Sequence, residues 1–309
     1  MKDSDLILHF LQKIKVEDGL SQNTVNSYQL DLEQLKDFCQ KKKVTLPQLQ
    51  IKNFENYLLN LHNKELAPAS IARSISTFKS FYRFLCEEKI IKNDPTINLE
   101  PPKLGLKLPK MLSLDEIKKL IAVTKSQSNL KLARANCMIE ILYATGLRVS
   151  ELVTLELANL QRDQNGNIKE YFIVRGKGNK ERMVILNEHA IKSIQNYLKV
   201  LQLNNNRDSK WLFPGRSTAR KDSHITRQAF NKLLKEAARL ANIDEEKVHP
   251  HVLRHSFASH LLNNGADLRV LQELLGHSDI STTQIYTHVM DSKLKDLVFN
   301  AHPLAKVKK

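Results

Sequence analysis

The sequence lacks a long apolar run, and this absence excludes a helix that crosses a membrane. No stretch of about 18 uncharged apolar residues occurs in the 309-residue chain. The first residues, MKDSDLILHF, carry acids early and have no small-residue cleavage site behind a long apolar core, so they do not resemble a secretory signal. Apolar residues still make up 41% of the chain, which excludes a disordered protein. We therefore expect a cytoplasmic protein with roughly two folded domains.

Cysteine is also scarce, and its spacing argues against a metal site. The three cysteines, Cys39, Cys86 and Cys137, lie far apart and lack the short intervals between metal-binding cysteines. We predict that they are buried, reduced thiols, as is usual in the cytosol.

Acidic residues are too few to balance the basic ones. The chain has 48 Lys and Arg residues against 33 Asp and Glu residues, a formal net charge of +15, and its pI is near 9.6. A protein this basic attracts polyanions, most often nucleic acid. A ribosome-associated protein, or a basic protein without such a partner, also fits the charge.

The first hundred residues contain helical patterns only. Apolar residues recur at helical spacing in four segments, which begin at DLILHFLQKI, NTVNSYQLDL, IKNFENYLLN and APASIARSIS. Pro68 stands near the start of the fourth segment, where proline suits a helix. The other face of this helix carries Arg73, Lys79 and Arg83. Such a face is commonly a solvated surface, but in so basic a protein it also suits contacts with DNA phosphates.

A proline-rich stretch separates these helices from the rest of the chain. NDPTINLEPPKLGLKLPK contains four prolines and cannot continue a helix. Its lysines would suit a path along DNA. We predict a helical domain at 1–97, an extended linker at 98–111, a second domain at 112–291 and a tail at 292–309.

The second domain changes from helix to hairpin and back. Ser113 and Glu116 form a capping-box pattern before its first helix, and a later helix ends at Gly146. Two β-rich runs, Tyr171–Val174 and Met183–Leu186, flank the glycine-containing turn RGKGNKE. Helices resume after this hairpin.

The segment that follows Gly146 carries the first candidate phosphate ligand. Arg148, in ATGLRVSEL, can extend from a helix junction, and its planar fork suits two phosphate oxygens. The alternative is an ordinary surface arginine paired with Glu151.

The hairpin turn carries the second candidate, a lysine between two glycines. Lys177 could donate a proton to a leaving oxygen if its pKa were lowered, or it could belong to an ordinary charged turn. Arg175, Lys180 and Arg182 lie nearby and are predicted to guide DNA electrostatically in either case.

The segment HPHVLRHSFASHLL combines an imidazole and a guanidinium at a helix start. His251 and Arg254 are spaced i, i+3 and share one helix face, and Pro250 suits the first turn. A helix amino terminus binds anions well. Zinc is a rival interpretation, because His251 and His255 are spaced i, i+4, but the glutamate of the zinc motif and a cysteine pair are both missing.

The segment LLGHSDISTTQIYTHV carries the last candidates. His277 follows a glycine, and Tyr286 lies in a short segment flanked by apolar residues. A buried structural tyrosine is the usual meaning of a single tyrosine. The neighbouring imidazoles and the basic segments elsewhere in the chain instead favour a nucleophile directed at a phosphate.

These segments occur in the order found in the tyrosine recombinase (phage integrase) family, and the chain resembles the Xer subgroup of that family over nearly its whole length. The resemblance implies a mainly α fold with a small β-sheet. A four-helix SAM-like core-binding domain and an α+β catalytic domain would form a clamp around double-stranded DNA. The resemblance also implies an enzyme that needs no cofactor and no metal ion.

The resemblance assigns catalytic roles to six side chains: Arg148, Lys177, His251, Arg254, His277 and Tyr286. The tyrosine would attack a phosphodiester and form a 3′-phosphotyrosyl intermediate, while the two arginines hold the non-bridging oxygens. The lysine would protonate the departing 5′ oxygen. His251 would assist proton transfer with the nucleophile, and His277 would hydrogen-bond the phosphate.

The resemblance further implies a setting in the cell. The protein would resolve replicon dimers before division, with a second Xer-type recombinase in a heterotetramer on two DNA sites and with a septal DNA translocase. The apolar tail from Leu294 to Phe299 would dock on a neighbouring subunit or cover its own domain. Alternatives are an integrase of a mobile element, a DNA-binding protein that no longer cuts, and a type IB topoisomerase.

Overall fold

The computed structural model describes residues 2–102, 111–175, 181–204, 209–215, 223–275 and 302–303, with residues 175 and 273 described by their backbone alone. The chain forms two compact units, Met1–Leu108 and Pro109–Lys309. This division falls inside the linker predicted at 98–111, while the finer domain boundaries stay a prediction. Each unit has its own apolar core.

In its described residues, 2–102, the amino-terminal unit contains four α-helices, as the apolar spacing predicted. They are α1 (Asp3–Val16), α2 (Gln22–Lys42), α3 (Ile51–Asn63) and α4 (Pro68–Glu87), with a 3₁₀ turn at Leu46–Gln48. Their apolar stripes meet in one core, in which Phe10, Leu32, Phe54 and Phe78 are almost wholly buried. Burial of such stripes, more than helix propensity, stabilises helices of this length.

Local chemistry sets the boundaries of these helices. Gly19 adopts a φ of +60° between α1 and α2, a conformation that glycine adopts at little cost. The Ser21 hydroxyl caps α2 by accepting the N–H of Thr24. Pro68 opens α4, where its missing N–H leaves no hydrogen bond unmade.

In its described residues, the carboxy-terminal unit combines helices with a single hairpin, which confirms the predicted mainly α fold with a small β-sheet. Its described α-helices are α5 (Leu114–Thr124), α6 (Leu130–Thr145), α7 (Val149–Val153), α8 (Glu188–Leu203), α9 (Arg227–Leu240), α10 (Pro250–Asn263) and α11 (Leu268–Leu275). The predicted capping box holds, because the Glu116 N–H donates to the Ser113 hydroxyl at 3.2 Å and the Ser113 N–H donates to Glu116 at 2.7 Å. None of the helices named above combines the length and apolar composition of a membrane span.

Helix α6 forms the centre of this unit. Its residues are buried almost without interruption from Ala135 to Thr145, and it packs against α5, α8, α9 and α10. A helix that is buried on all sides belongs to the interior of a domain. Cys137 lies within α6 and Cys39 lies in the first core, so both are buried as predicted, whereas Cys86 is only partly buried.

The hairpin follows the predicted pattern with small shifts at its edges. Strands β1 (Tyr171–Arg175) and β2 (Glu181–Ile185) pair antiparallel, with Tyr171 opposite Ile185 and Arg175 opposite Glu181. The turn at 176–180, which contains Lys177, lies outside the described residues.

Two residues near the opposite ends of this unit's sequence are hydrogen-bonded to residues within it. The Leu112 N–H, just after the linker, donates to the Ser256 hydroxyl of α10 at 2.8 Å. His302 is wholly buried, with Nε2 3.1 Å from the Tyr143 carbonyl and Nδ1 3.3 Å from the Asn187 amide nitrogen. Burial lowers the pKa of His302 to about 4, so the ring is neutral at pH 7.

The core also contains an acid that none of the proposed chemistry uses. Glu140 of α6 is 4% exposed, and its Oε2 has no hydrogen-bond partner within the described part of the chain. Burial raises the pKa of Glu140 from 4.5 to about 7. The folded state therefore takes up a proton at this carboxyl over the pH range between these two values.

We predict that Glu140→Gln weakens the pH dependence of stability. Because the folded pKa lies above the unfolded one, Glu140 lowers the free energy of unfolding by up to about 1.4 kcal/mol per pH unit as pH rises through this window. This loss of folded-state stability persists above the window, where Glu140 is ionised in both states. Urea unfolding between about pH 5 and about pH 8, followed by fluorescence of the single tryptophan, Trp211, measures this slope.

The exposed residue Glu170 lies in the same unit, and Glu170→Gln is the matched control. This control should keep the slope of the parent protein. Equal slopes for Glu140→Gln and the parent would contradict the prediction.

Candidate active site

The site begins at a tight junction between α6 and α7. Gly146 ends α6 with a left-handed φ of +61°, and its N–H donates to the Leu142 carbonyl at 2.9 Å. A Cβ at this position would lie 2.5 Å from Phe257 Cδ1 and 2.9 Å from Leu275 Cδ2. Glycine therefore ends the helix as predicted and also allows α10 and α11 to approach it closely.

Arg254 connects three helices at this junction. From α10 it donates to the Gly146 carbonyl at the end of α6 and, through Nη2, to the Leu275 carbonyl at the end of α11 at 2.8 Å. Burial and, to a smaller extent, the charge of Arg148 lower the pKa of Arg254 to about 10. The guanidinium remains charged at neutral pH. The Gly146 carbonyl that it binds lies two residues before Arg148, so both arginines belong to the same helix junction.

Arg148 is the residue that caps α7. Its backbone N–H donates to Glu151 Oε2 at 2.8 Å, and its Nη1 donates to Glu151 Oε1 at 3.3 Å. The side chain is 37% exposed. The ion pair with Glu151 and a phosphate contact are therefore compatible, because the acid holds one edge of a guanidinium that solvent still reaches.

His251 lies one turn before Arg254 on α10. Its side chain is exposed, and the i, i+3 spacing places both residues on one face of the helix. Pro250 occupies the first turn as predicted. The helix terminus adds the partial positive charge of its dipole and its N–H groups. The start of α10 thus places an imidazole and helix-terminal N–H groups, which can bind an anion, one turn from the Arg254 guanidinium.

Glu151 links this site to the hairpin, a role that the sequence did not reveal. Its carboxylate accepts from Arg182 Nη1 at 2.9 Å and from Arg182 Nη2 at 2.7 Å. Burial acts to raise the pKa of Glu151, but the hydrogen bonds and charges of Arg182 and Arg148 outweigh it and leave the pKa below its ordinary value. The i, i+3 spacing to Arg148 was visible in sequence, whereas the bidentate partner lies on a distant strand.

This ion pair corrects the prediction for Arg182. We expected this residue to guide DNA from an exposed hairpin, but it is 8% exposed and both of its terminal nitrogens bind Glu151. Strand alternation explains the difference, since Glu181 of β2 is exposed and the next side chain faces inward. Arg182 therefore anchors β2 to α7.

Several predicted site residues lie outside the described part of the chain. They are Lys177, Lys180, His277 and Tyr286. Arg175 is described by its backbone alone, at the end of β1. The roles of these residues stay predictions. Leu275, whose carbonyl binds Arg254, is the last described residue before the segment that contains His277 and Tyr286.

The three basic residues predicted on α4 differ in their surroundings. Arg73 is 46% exposed and bonds to the buried Asp31 of α2 at 2.8 Å. Lys79 is partly buried and donates to the Ile97 carbonyl at 3.3 Å. Arg83 is exposed.

The zinc interpretation gains no support from the described residues. Among them, no group of three or more His, Cys, Asp and Glu side chains could hold a metal ion. His251 and His255 are both exposed on α10.

The site therefore combines two arginines at one helix junction, an imidazole one turn from one of them and a helix amino terminus, a combination suited to a phosphate diester. Residues 110–293 match the phage integrase family, and residues 7–89 match the phage integrase N-terminal SAM-like domain. This chain belongs to the phage integrase family of tyrosine recombinases, enzymes that cleave and rejoin DNA strands.

Known relatives match this chain along nearly its full length. It is 46% identical over 303 residues to tyrosine recombinase XerD of Rhizobium meliloti (strain 1021), with 96% of this chain and 94% of that protein covered. It is 44% identical over 307 residues to tyrosine recombinase XerD of Rickettsia bellii (strain RML369-C), with 98% and 99% covered.

A solved structure has the same architecture. The crystal structure of XerH site-specific recombinase bound to palindromic difH substrate, a post-cleavage complex, matches with a TM-score of 0.67 and 25% identity. The match covers 89% of this chain and 79% of that chain. The predicted resemblance to the Xer subgroup, the fold class and the class of enzyme are confirmed.

We predict that Glu151→Gln destabilises the carboxy-terminal unit by about 3 kcal/mol or more, because it leaves the buried Arg182 charge without its anion. Urea unfolding followed by Trp211 fluorescence measures the loss. The matched control is Glu188→Gln, which removes an exposed, solvent-screened ion pair with Lys192 and should leave stability nearly unchanged. Similar losses in the two variants would contradict a structural role for the Glu151–Arg182 pair.

Proposed function

We propose that this protein carries out site-specific recombination with Tyr286 as its nucleophile and, in the cell, resolves chromosome dimers. The observation that carries this proposal is that Arg254 binds the carbonyl of Gly146, two residues before Arg148, with His251 one turn from Arg254.

The arginine pair supplies charge where the reaction develops it. Attack on a phosphodiester moves negative charge onto the non-bridging oxygens, and hydrogen-bond donors fixed in place stabilise that charge. Arg254 is oriented by the Gly146 and Leu275 carbonyls, and Arg148 is oriented by Glu151. Both guanidinium groups are therefore held in position before DNA arrives.

The cleavage step exchanges one phosphate ester for another. The Tyr286 phenol oxygen forms a bond to phosphorus while the bond from phosphorus to the 5′ oxygen breaks, and Lys177 gives that oxygen its proton. A phenol has an ordinary pKa of about 10, so the nearby cations favour its deprotonation and His251 assists the transfer of its proton. His277 hydrogen-bonds the phosphate. The phosphotyrosyl bond conserves the ester, and a 5′-hydroxyl from another strand can reverse the step.

Two domains that each contact DNA suit a protein that encloses a duplex. The amino-terminal unit presents Arg73 and Arg83 on the exposed side of α4, and the net charge of +15 favours binding to a polyanion. The XerH relative is described in complex with its DNA substrate. By analogy, this protein would bind double-stranded DNA and assemble on two sites as a tetramer.

The cellular role is the finer part of the proposal. The relatives named XerD, at 44% and 46% identity, favour a chromosomal recombinase of the cytoplasm. It would act with a second Xer-type recombinase in a heterotetramer and with a septal DNA translocase. An integrase of a mobile element would use the same chemistry, and it remains the second candidate.

We predict that Tyr286→Phe abolishes covalent attachment to DNA, because the variant lacks the attacking oxygen. The assay incubates the full chain with nicked duplexes that carry candidate sites and detects protein–DNA adducts resistant to SDS. Tyr171→Phe, on β1, is the matched control and should form the adduct as the parent protein does.

An adduct formed by Tyr286→Phe would refute the assigned nucleophile. The absence of any adduct with the parent protein would favour a DNA-binding protein that does not cut. Exchange of strands between two duplexes, as opposed to relaxation of one, distinguishes a recombinase from a topoisomerase.

A further inference from the structure

A buried acid in the amino-terminal unit has no part in the cleavage chemistry. Asp31 of α2 is 2% exposed. Its Oδ1 accepts from Arg73 Nη2 at 2.8 Å and from the Ser74 hydroxyl at 3.1 Å, and its Oδ2 accepts from the Thr77 hydroxyl at 2.9 Å. All three donors belong to α4. A buried carboxylate is costly unless such partners satisfy it.

The two hydroxyl donors hold the carboxylate in one orientation. Ser74 and Thr77 also lie within hydrogen-bond distance of the α4 carbonyls of Ser70 and Arg73, at 3.2 Å in each case. Each hydroxyl has a single proton, and a buried carboxylate attracts it more strongly than a carbonyl does. The two hydroxyls therefore hold the Asp31 carboxylate in place independently of Arg73.

Arg73 is the member of this cluster that reaches the surface. Its side chain is 46% exposed although it bonds to an acid that is almost wholly buried. A guanidinium has several N–H donors in a rigid plane, so one edge can bind Asp31 while another faces outward. An arginine held in this way loses less conformational freedom when it binds a phosphate.

We propose that Asp31 is a positioning residue for DNA binding, which orients Arg73 toward a backbone phosphate. The inference rests on the proposed function, in which α4 contacts DNA. It concerns the affinity of the amino-terminal unit and does not involve the tyrosine chemistry. Arg83, exposed on the same helix, serves as a comparison because no bond to Asp31 holds it.

The variant Asp31→Asn separates positioning from charge, because the two accounts predict opposite changes in DNA affinity. If only net charge mattered, removal of an anion behind a DNA-binding face would strengthen binding. If Asp31 positions Arg73, the loss of the charged anchor should weaken binding by about tenfold. The probe is a fluorescent mixed-sequence duplex, titrated with the full chain carrying Tyr286→Phe, from about 50 to about 200 mM KCl.

A double-mutant cycle tests whether Asp31 acts through Arg73. In an Arg73→Met background, Asp31→Asn should cause no further loss of affinity, and the salt slope should already be lower by about one. In an Arg83→Met background, Asp31→Asn should still cause its full loss. Circular dichroism and thermal unfolding verify that every variant is folded at the assay temperature.

Tighter or unchanged binding by folded Asp31→Asn would overturn the inference, as would an equal loss in the Arg73→Met background. If Asp31→Asn does not fold, Arg73→Lys and Arg83→Lys replace it. Both keep their charge, and only Arg73→Lys should weaken binding clearly. The same Asp31 and Arg73 variants, made with Tyr286 intact, are also tested for the protein–DNA adduct. If they still form it, a failure of the binding inference leaves the proposed cleavage chemistry standing.

Discussion

The catalytic unit depends on the close approach of α10 and α11 to the end of α6. Only a residue without a side chain fits at Gly146, where Phe257 and Leu275 occupy the space that a Cβ would need. The same approach brings Arg254 within reach of two backbone carbonyls, at Gly146 and Leu275. One steric condition at a helix end thus determines both the packing of three helices and the position of a guanidinium.

In this basic protein, two buried acids hold arginine side chains in position. Glu151 holds Arg182 and Arg148 together in the carboxy-terminal unit, and Asp31 holds Arg73 in the amino-terminal unit. Each acid is almost wholly buried, and at least one of its arginines reaches solvent. Buried ion pairs of this kind contribute little net stability. Their contribution is geometric, since a flexible cation acquires a defined direction.

Local patterns in the sequence predicted the elements well and the contacts between them poorly. Ser113, Gly146 and Pro250 marked helix boundaries because capping and backbone preferences act over a few residues. The convergence of Arg148 with Arg254 followed from the family resemblance. The inward position of Arg182 could not be predicted from the hairpin alone, because its partner Glu151 is remote in sequence and burial is decided by tertiary packing.

The buried histidine near the chain terminus has a practical consequence. His302 fills a space between the Tyr143 carbonyl and the Asn187 amide, so this part of the tail is an internal component of the folded unit. A shortened protein that stops before residue 302 would leave two polar groups facing an empty space, into which water would move. Protein engineers who trim the chain for crystallisation should therefore retain this histidine.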